Sequence, residues 1–186
     1  MKIQDIQNEI VREVISEEQI DQKLGEIAKL IDEEYKGKDL LLVGVLGGAF
    51  ICMADLSRHI SVPLEIEWIA ISTYGHGTTS TGVVKILKDL FTDIKGRHVL
   101  IVEDILDSGL TLSWLKDNLS TRGAASVEIF TLLRKPDAIK IPVEAKYVGF
   151  DIPNEFVIGY GLDYAQKYRN LRSIAILHPD VYTQKS

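Results

Sequence analysis

The chain reads as an α/β protein built on a central, mostly parallel sheet flanked by helices. Three observations point there. Continuous apolar runs such as Leu40–Leu46 and Val99–Val102 are bounded by polar residues, the pattern of strands buried on both faces of a parallel sheet. Between residues 17 and 35 apolar side chains recur at helical spacing, with Ile20, Leu24, Ile27, Leu30 and Ile31 on one face. Strand-like runs then alternate with helix-length segments, as crossovers between parallel strands require.

The elements follow in order. Ser16 with Gln19 three residues on forms a capping box that starts the 17–35 helix, and Gly37 stops it. Residues 40–46 form a buried strand ending in Gly47-Gly48, followed by a helix from about 50 to 60. Residues 64–72 read as a strand. The stretch 73–82, Thr-Tyr-Gly-His-Gly-Thr-Thr-Ser-Thr-Gly, has no apolar periodicity and three glycines, so it reads as a loop joining the neighbouring strand 83–87. A strand at 98–103, a helix at 109–121, and strands near 126–133 and 145–150 follow. Pro136, Pro142 and Pro153 punctuate a loop-rich final third.

Composition narrows the class. At 186 residues, 46% hydrophobic and 26% charged, the chain can bury a sizeable core. Its longest apolar runs are strand-length and its first residues are polar, so neither a membrane span nor a signal peptide is expected. Cys52 is the single cysteine, in an apolar helical stretch, which excludes an internal disulfide and points to the core of a cytoplasmic protein. A net charge of -6 argues against a nucleic-acid partner.

Residues 99–111, Val-Leu-Ile-Val-Glu-Asp-Ile-Leu-Asp-Ser-Gly-Leu-Thr, carry the chemistry. The carboxylates of Glu103 and Asp104 fall at the carboxyl end of a buried strand, where open α/β sheets bind ligands. Asp107, Ser108, Gly109, Leu110 and Thr111 then open a helix, whose free N–H groups suit an anion, and Gly109 would let a phosphate approach the backbone. Diol-binding acids beside a phosphate cradle suit a phosphorylated sugar. Taken singly, the acids could equally end a strand and cap a helix. Leu46, Gly47 and Gly48 make a second bare-backbone turn between strand and helix, also suited to an anion.

The 99–111 stretch resembles the phosphoribosyl-pyrophosphate signature of the type I phosphoribosyltransferases, in which an acid pair and Asp-(Ser/Thr)-Gly-x-Thr follow a hydrophobic strand. Leu132-Leu133-Arg134-Lys135-Pro136 and the run Phe156 to Arg169 are similar to the purine-binding strand end and hood of the hypoxanthine-guanine branch of that family. As bare residues Phe156 could be core, Lys135 a solvated strand end and Arg169 a surface charge. Their joint spacing argues otherwise.

The resemblance, spanning roughly 40–178, implies the family fold with a core at about 37–150 and 173–180. A small purine-binding hood would form from the N-terminal segment and about 151–172. It implies transfer of ribose 5-phosphate from phosphoribosyl pyrophosphate to a 6-oxopurine. Asp107 would be the general acid or base, and the 107–111 loop would cradle the 5-phosphate. Glu103 and Asp104 would grip the ribose hydroxyls and, with Asp163, magnesium. Leu46, Gly47, Gly48 and Arg169 would meet pyrophosphate. Lys135, Phe156, Val157 and Asp163 would bind the purine, and Thr73 and Tyr74 would open a lid. The family also implies a homodimer or homotetramer. Gly47 departs from the family pattern, in which Lys or Arg often follows the leucine, and a cis peptide is usual at this turn. The alternatives are a xanthine-preferring transferase and an RNA-binding regulatory relative of the fold, which keeps the same signature.

Overall fold

The computed structural model describes residues 1–74 and 83–183. Residues 75–82, most of the expected lid, lie outside the described residues, as do the side chains of Thr73 and Tyr74.

Strand β1 (Ile10–Ile15) leads into helix α1 (Glu17–Glu34). The Ser16 hydroxyl accepts from the Gln19 N–H while the Gln19 side chain accepts from the Ser16 N–H, the expected capping box. Then come β2 (Leu40–Leu46), α2 (Phe50–His59), β3 (Leu64–Tyr74), β4 (Val83–Lys88), β5 (His98–Leu106), α3 (Leu110–Ser120) and β6 (Ser126–Arg134). Strands β7 (Tyr147–Asp151), β8 (Val157–Ile158) and β9 (Ile174–Leu177) and a short helix α4 (Pro179–Thr183) complete the chain.

Six strands form the main sheet in the order β4-β3-β2-β5-β6-β7. All pairs are parallel except β3 with β4, so the segment 75–82 connects antiparallel neighbours, as expected. Strand side chains alternate between two covered faces. Leu40, Leu42, Leu100 and Val102 pack with α1 and α2, whereas Leu41, Val43, Val99 and Ile101 pack with Leu112, Leu115 and Leu119 of α3. Each such side chain taken out of water contributes about 1.5–3 kcal/mol, which is why these strands are continuous apolar runs.

Connections leave β2 toward β3 on one side, while β5 lies on the other. The chain therefore changes direction between β2 and β5, and the crevice at their carboxyl ends is where such sheets bind ligands. Strand β5 runs further than the expected 98–103. Ile105 and Leu106 keep register with Leu133 and Arg134 of β6, so the acid pair sits within the strand's last turns rather than past its end.

A second sheet, β1-β9-β8, is antiparallel. The sequence groups 173–180 with the core, but hydrogen bonding puts β9 in the middle of this smaller sheet. The physical reason is its two apolar faces: Ile174 and Ile176 fill the main core, while Ala175 and Leu177 pack with Ile6, Ile158 and Leu171. No helix among the described residues is long and apolar enough to cross a membrane.

Gly44, in the centre of β2, lies under the Trp68 ring: a Cβ there would stand 2.5 Å from Trp68 Cζ3. Overpacking of this kind costs about 1–3 kcal/mol. Gly44→Ala is expected to lower the denaturation midpoint by a corresponding amount and to shift Trp68 fluorescence. An unchanged midpoint would mean that the indole yields freely.

Candidate active site

The acid pair stands at the carboxyl end of β5, where its neighbour β2 has just ended. Glu103 and Asp104 are each only 8% exposed. Backbone N–H groups hold them: that of Asp104 donates to Glu103 Oε1 at 3.3 Å and that of Ile105 to Asp104 Oδ1 at 2.8 Å. Burial pushes the Glu103 carboxyl well above the usual range, and the adjacent Asp104 charge adds to it. Burial raises Asp104 as well, against the pull of the Glu103 hydrogen bond, backbone N–H groups and Arg169. Two carboxylates side by side with little water are short of positive charge.

Gly48 explains how the turn after β2 approaches them. A Cβ on Gly48 would lie 1.6 Å from Asp104 Oδ2, so any larger residue there would displace the Asp104 carboxylate. The Leu46–Gly47 peptide is cis. A Cβ on Gly47 would meet nothing within 4 Å, so its glycine is not demanded sterically, and the turn offers bare backbone.

The loop after β5 is braced from outside. Gly109 caps α3 with φ +84, and a Cβ there would strike the Ile141 carbonyl oxygen at 2.2 Å. The Ser108 carbonyl accepts from the N–H groups of Lys140 and Ile141, both at 3.0 Å. The glycine is therefore required here by its left-handed backbone and by the close approach of the Ile141 carbonyl. The Leu110, Thr111 and Leu112 N–H groups of the first turn have no helical acceptors, which keeps the anion cradle itself. The Ser108 hydroxyl accepts weakly from Leu110 at 3.4 Å.

Lys135 follows directly on β6 and is 8% exposed. Its Nζ lies 3.9 Å from Asp107 Oδ2, whose side chain is 56% exposed, so a donor and a carboxylate stand together at adjacent strand ends. From the hood, the Phe156 ring is 42% exposed and meets Tyr164 edge-to-face at 6.0 Å, while Val157 is buried in β8. A partly exposed aromatic ring of this kind can stack on a planar base.

Arg169 is held within its own segment of the chain. Its Nη1 donates to the Gly161 carbonyl at 2.7 Å and its Nη2 lies 2.8 Å from Asp163 Oδ1. Asp163 also accepts from the Gln166 N–H at 2.8 Å. With Asp163 so engaged, Glu103, Asp104 and Asp163 do not form a ready three-ligand cage, and no group of three His, Cys, Asp or Glu side chains that could hold a metal ion occurs among the described residues. Sequence reasoning missed the Gly48–Asp104 contact, the tight turns at 159–168 and the Asp55–Tyr160 bond. Four non-glycine residues there have positive φ (Tyr160 50, Ala165 49, Gln166 65, Tyr168 72), a signal that composition hides.

Buried acids, a helix N-terminus and a glycine turn meet at the sheet's switch point, an arrangement suited to a phosphorylated ligand. The family model of the phosphoribosyl transferase domain matches residues 13–165, so the chain belongs to the phosphoribosyltransferase family. Its similarity runs to one branch in particular. It is 53% identical over 175 residues to the hypoxanthine-guanine phosphoribosyltransferase of Mycobacterium tuberculosis, covering 91% of this chain and 87% of that protein. With the Bacillus subtilis protein of the same name it shares 48% over 177 residues, covering 95% and 98%. The crystal structure of a hypoxanthine phosphoribosyltransferase from Staphylococcus aureus superposes with a TM-score of 0.93 at 44% identity, covering 96% and 97% of the two chains.

Asp104→Asn removes one of two buried, adjacent charges while keeping an acceptor for the Ile105 N–H. It is expected to stabilise the unliganded protein by about 1 kcal/mol, raising its melting temperature by roughly 2–4 °C. Phosphoribosyl pyrophosphate should at the same time lose its stabilising effect in the same melting assay. A lower melting temperature would show that the pair supports the fold rather than straining it.

Proposed function

We propose that this chain transfers ribose 5-phosphate from phosphoribosyl pyrophosphate to hypoxanthine or guanine, giving the nucleoside monophosphate and pyrophosphate. The observation that carries this is the nearly buried Lys135 standing 3.9 Å from Asp107. A 6-oxopurine presents O6 and N7 side by side on one edge. Lys135 would donate to O6 while Asp107 meets N7. Phe156 would stack on the ring, with Val157 and Asp163 at its other edge.

In the reaction purine N9 forms a bond to the anomeric carbon, and the bond from that carbon to pyrophosphate breaks, its electron pair leaving with the phosphate. Asp107 would accept the N7 proton, so the new glycosidic nitrogen carries no net positive charge. The first N–H groups of α3, with Ser108 and Thr111, would hold the 5-phosphate. Gly47, Gly48 and Arg169 would hold the pyrophosphate.

A magnesium ion fits the donor set of Glu103 and Asp104: hard oxygen ligands, desolvated and short of positive charge, with substrate oxygens to complete the shell. When bound it would neutralise charge on the leaving pyrophosphate. Asp163 would reach this site only by giving up Arg169. We further propose a cytoplasmic homodimer or homotetramer, for which the exposed Ile66, Leu87 and Phe91 offer apolar surface.

Hypoxanthine, guanine, xanthine and adenine, each assayed with phosphoribosyl pyrophosphate and magnesium, test this. A 6-oxopurine is expected to react and adenine to be rejected by roughly 10⁴-fold, because an ammonium has no acceptor for a 6-amino group. Exhaustive chelation should abolish turnover, and Lys135→Ala should erode the discrimination. Use of adenine alongside hypoxanthine would remove Lys135 from its role.

Asp107→Asn should leave substrate binding intact and lower kcat by ~10²–10⁴-fold. A kcat equal to wild type would take the proton transfer away from Asp107.

A further inference from the structure

Behind the substrate-facing groups, one side-chain hydrogen bond ties α2 to the hood. The Tyr160 hydroxyl donates to Asp55 Oδ2 at 2.5 Å, across 105 residues of sequence. Tyr160 is 6% exposed, and burial together with the Asp55 bond pushes its hydroxyl above the ordinary range, so it remains a donor. Its N–H donates to the Leu171 carbonyl at 2.8 Å. Exposed Arg58 stands 4.0 Å from the other oxygen of Asp55. Both residues line a cavity of about 810 Å³ with Glu17, Asp21 and Ile51, and none of the proposed substrate-binding residues lines it.

The backbone here is held in an unfavourable form. Tyr160 has φ +50, between Gly159 at +96 and Gly161 at +102. A bulky residue keeps that conformation only where its surroundings impose it. The imposed geometry has two consequences on the other side of the turn. Gly161 presses against the turn after β2 so closely that a Cβ would stand 2.0 Å from the Gly48 carbonyl oxygen. Its own carbonyl accepts from Arg169 Nη1 at 2.7 Å. One turn therefore backs Gly48 and aims Arg169.

We infer that Asp55 and Tyr160 are positioning residues for the pyrophosphate subsite, holding the Gly47–Gly48 turn and the Arg169 guanidinium in register without touching substrate. This rests on the phosphoribosyl-transfer reading above. It separates the two ends of the cosubstrate: the 5-phosphate loop after β5 is braced by Lys140 and Ile141 and is independent of Tyr160.

Steady-state constants in both directions test it, hypoxanthine with phosphoribosyl pyrophosphate and IMP with pyrophosphate, for wild type, Tyr160→Phe, Asp55→Ala and Asp55→Asn. Tyr160→Phe is expected to raise KM for pyrophosphate and for phosphoribosyl pyrophosphate roughly tenfold, the scale of one hydrogen bond to a charged group, with KM for hypoxanthine and IMP within about twofold. Asp55→Asn keeps an acceptor for the hydroxyl and should recover most of what Asp55→Ala loses. An unchanged KM for pyrophosphate in both Tyr160→Phe and Asp55→Ala overturns the inference. So does a parallel loss in all constants that tracks melting temperature, which would make the bond purely structural. A wild type inactive with every purine base would instead overturn the transfer reading and the inference with it.

Discussion

Glu103 and Asp104 are held as neighbours at the end of a parallel strand, almost out of water. Two carboxylates in that position repel each other and have lost hydration, and only cations or a shared proton relieve them. The surrounding structure follows from this. Strand β5 is buried on both faces because the acids must project from a rigid support, and its register with β6 continues past them to Leu106. Gly48 has no side chain because Asp104 occupies the space one would need. Arg169 sits close enough to lower Asp104 while staying bound to Asp163. The site is assembled around two buried carboxylates that lack a matching cation among the described residues.

That arrangement depends on backbone approaching backbone. Gly161 against the Gly48 carbonyl and Gly109 against the Ile141 carbonyl are contacts that a single methyl would break. Both lie where a loop meets the end of the sheet, and each is held from outside, by Leu171 with Asp55 in the first case and by Lys140 with Ile141 in the second. Sites placed on rigid elements and braced by outer contacts keep their geometry better than free loops. Left-handed backbone at Tyr160, Ala165, Gln166 and Tyr168 is the stored strain of such a site.

The hood is less separable from the core than a small second sheet implies. Strand β9 sends Ile174 and Ile176 into the main core and Ala175 and Leu177 into the satellite cluster. Tyr168 donates to Glu9, the Met1 carbonyl accepts from Arg172, and the Glu9 carbonyl accepts from His178. The first residues thus lash the C-terminal segment down. Movement of the hood would strain these contacts together, so Phe156 and Arg169 keep a fixed relation to the sheet.

The sequence by itself determined the parallel sheet, its helices and the chemistry of the central motif. Burial on both faces writes itself as uninterrupted apolar runs, and helix caps and loop chemistry are local in sequence. Glu103, Asp104, Lys135, Phe156 and Arg169 stood out as candidates because residue type and spacing coincide with the family pattern. Only the tertiary structure decided what those residues touch. Asp163 pairs with Arg169, β9 belongs to the smaller sheet, Gly48 yields its side-chain volume to Asp104, and Tyr160 reaches Asp55. Each of these joins segments tens of residues apart, through packing and directional bonds whose partners no local periodicity encodes.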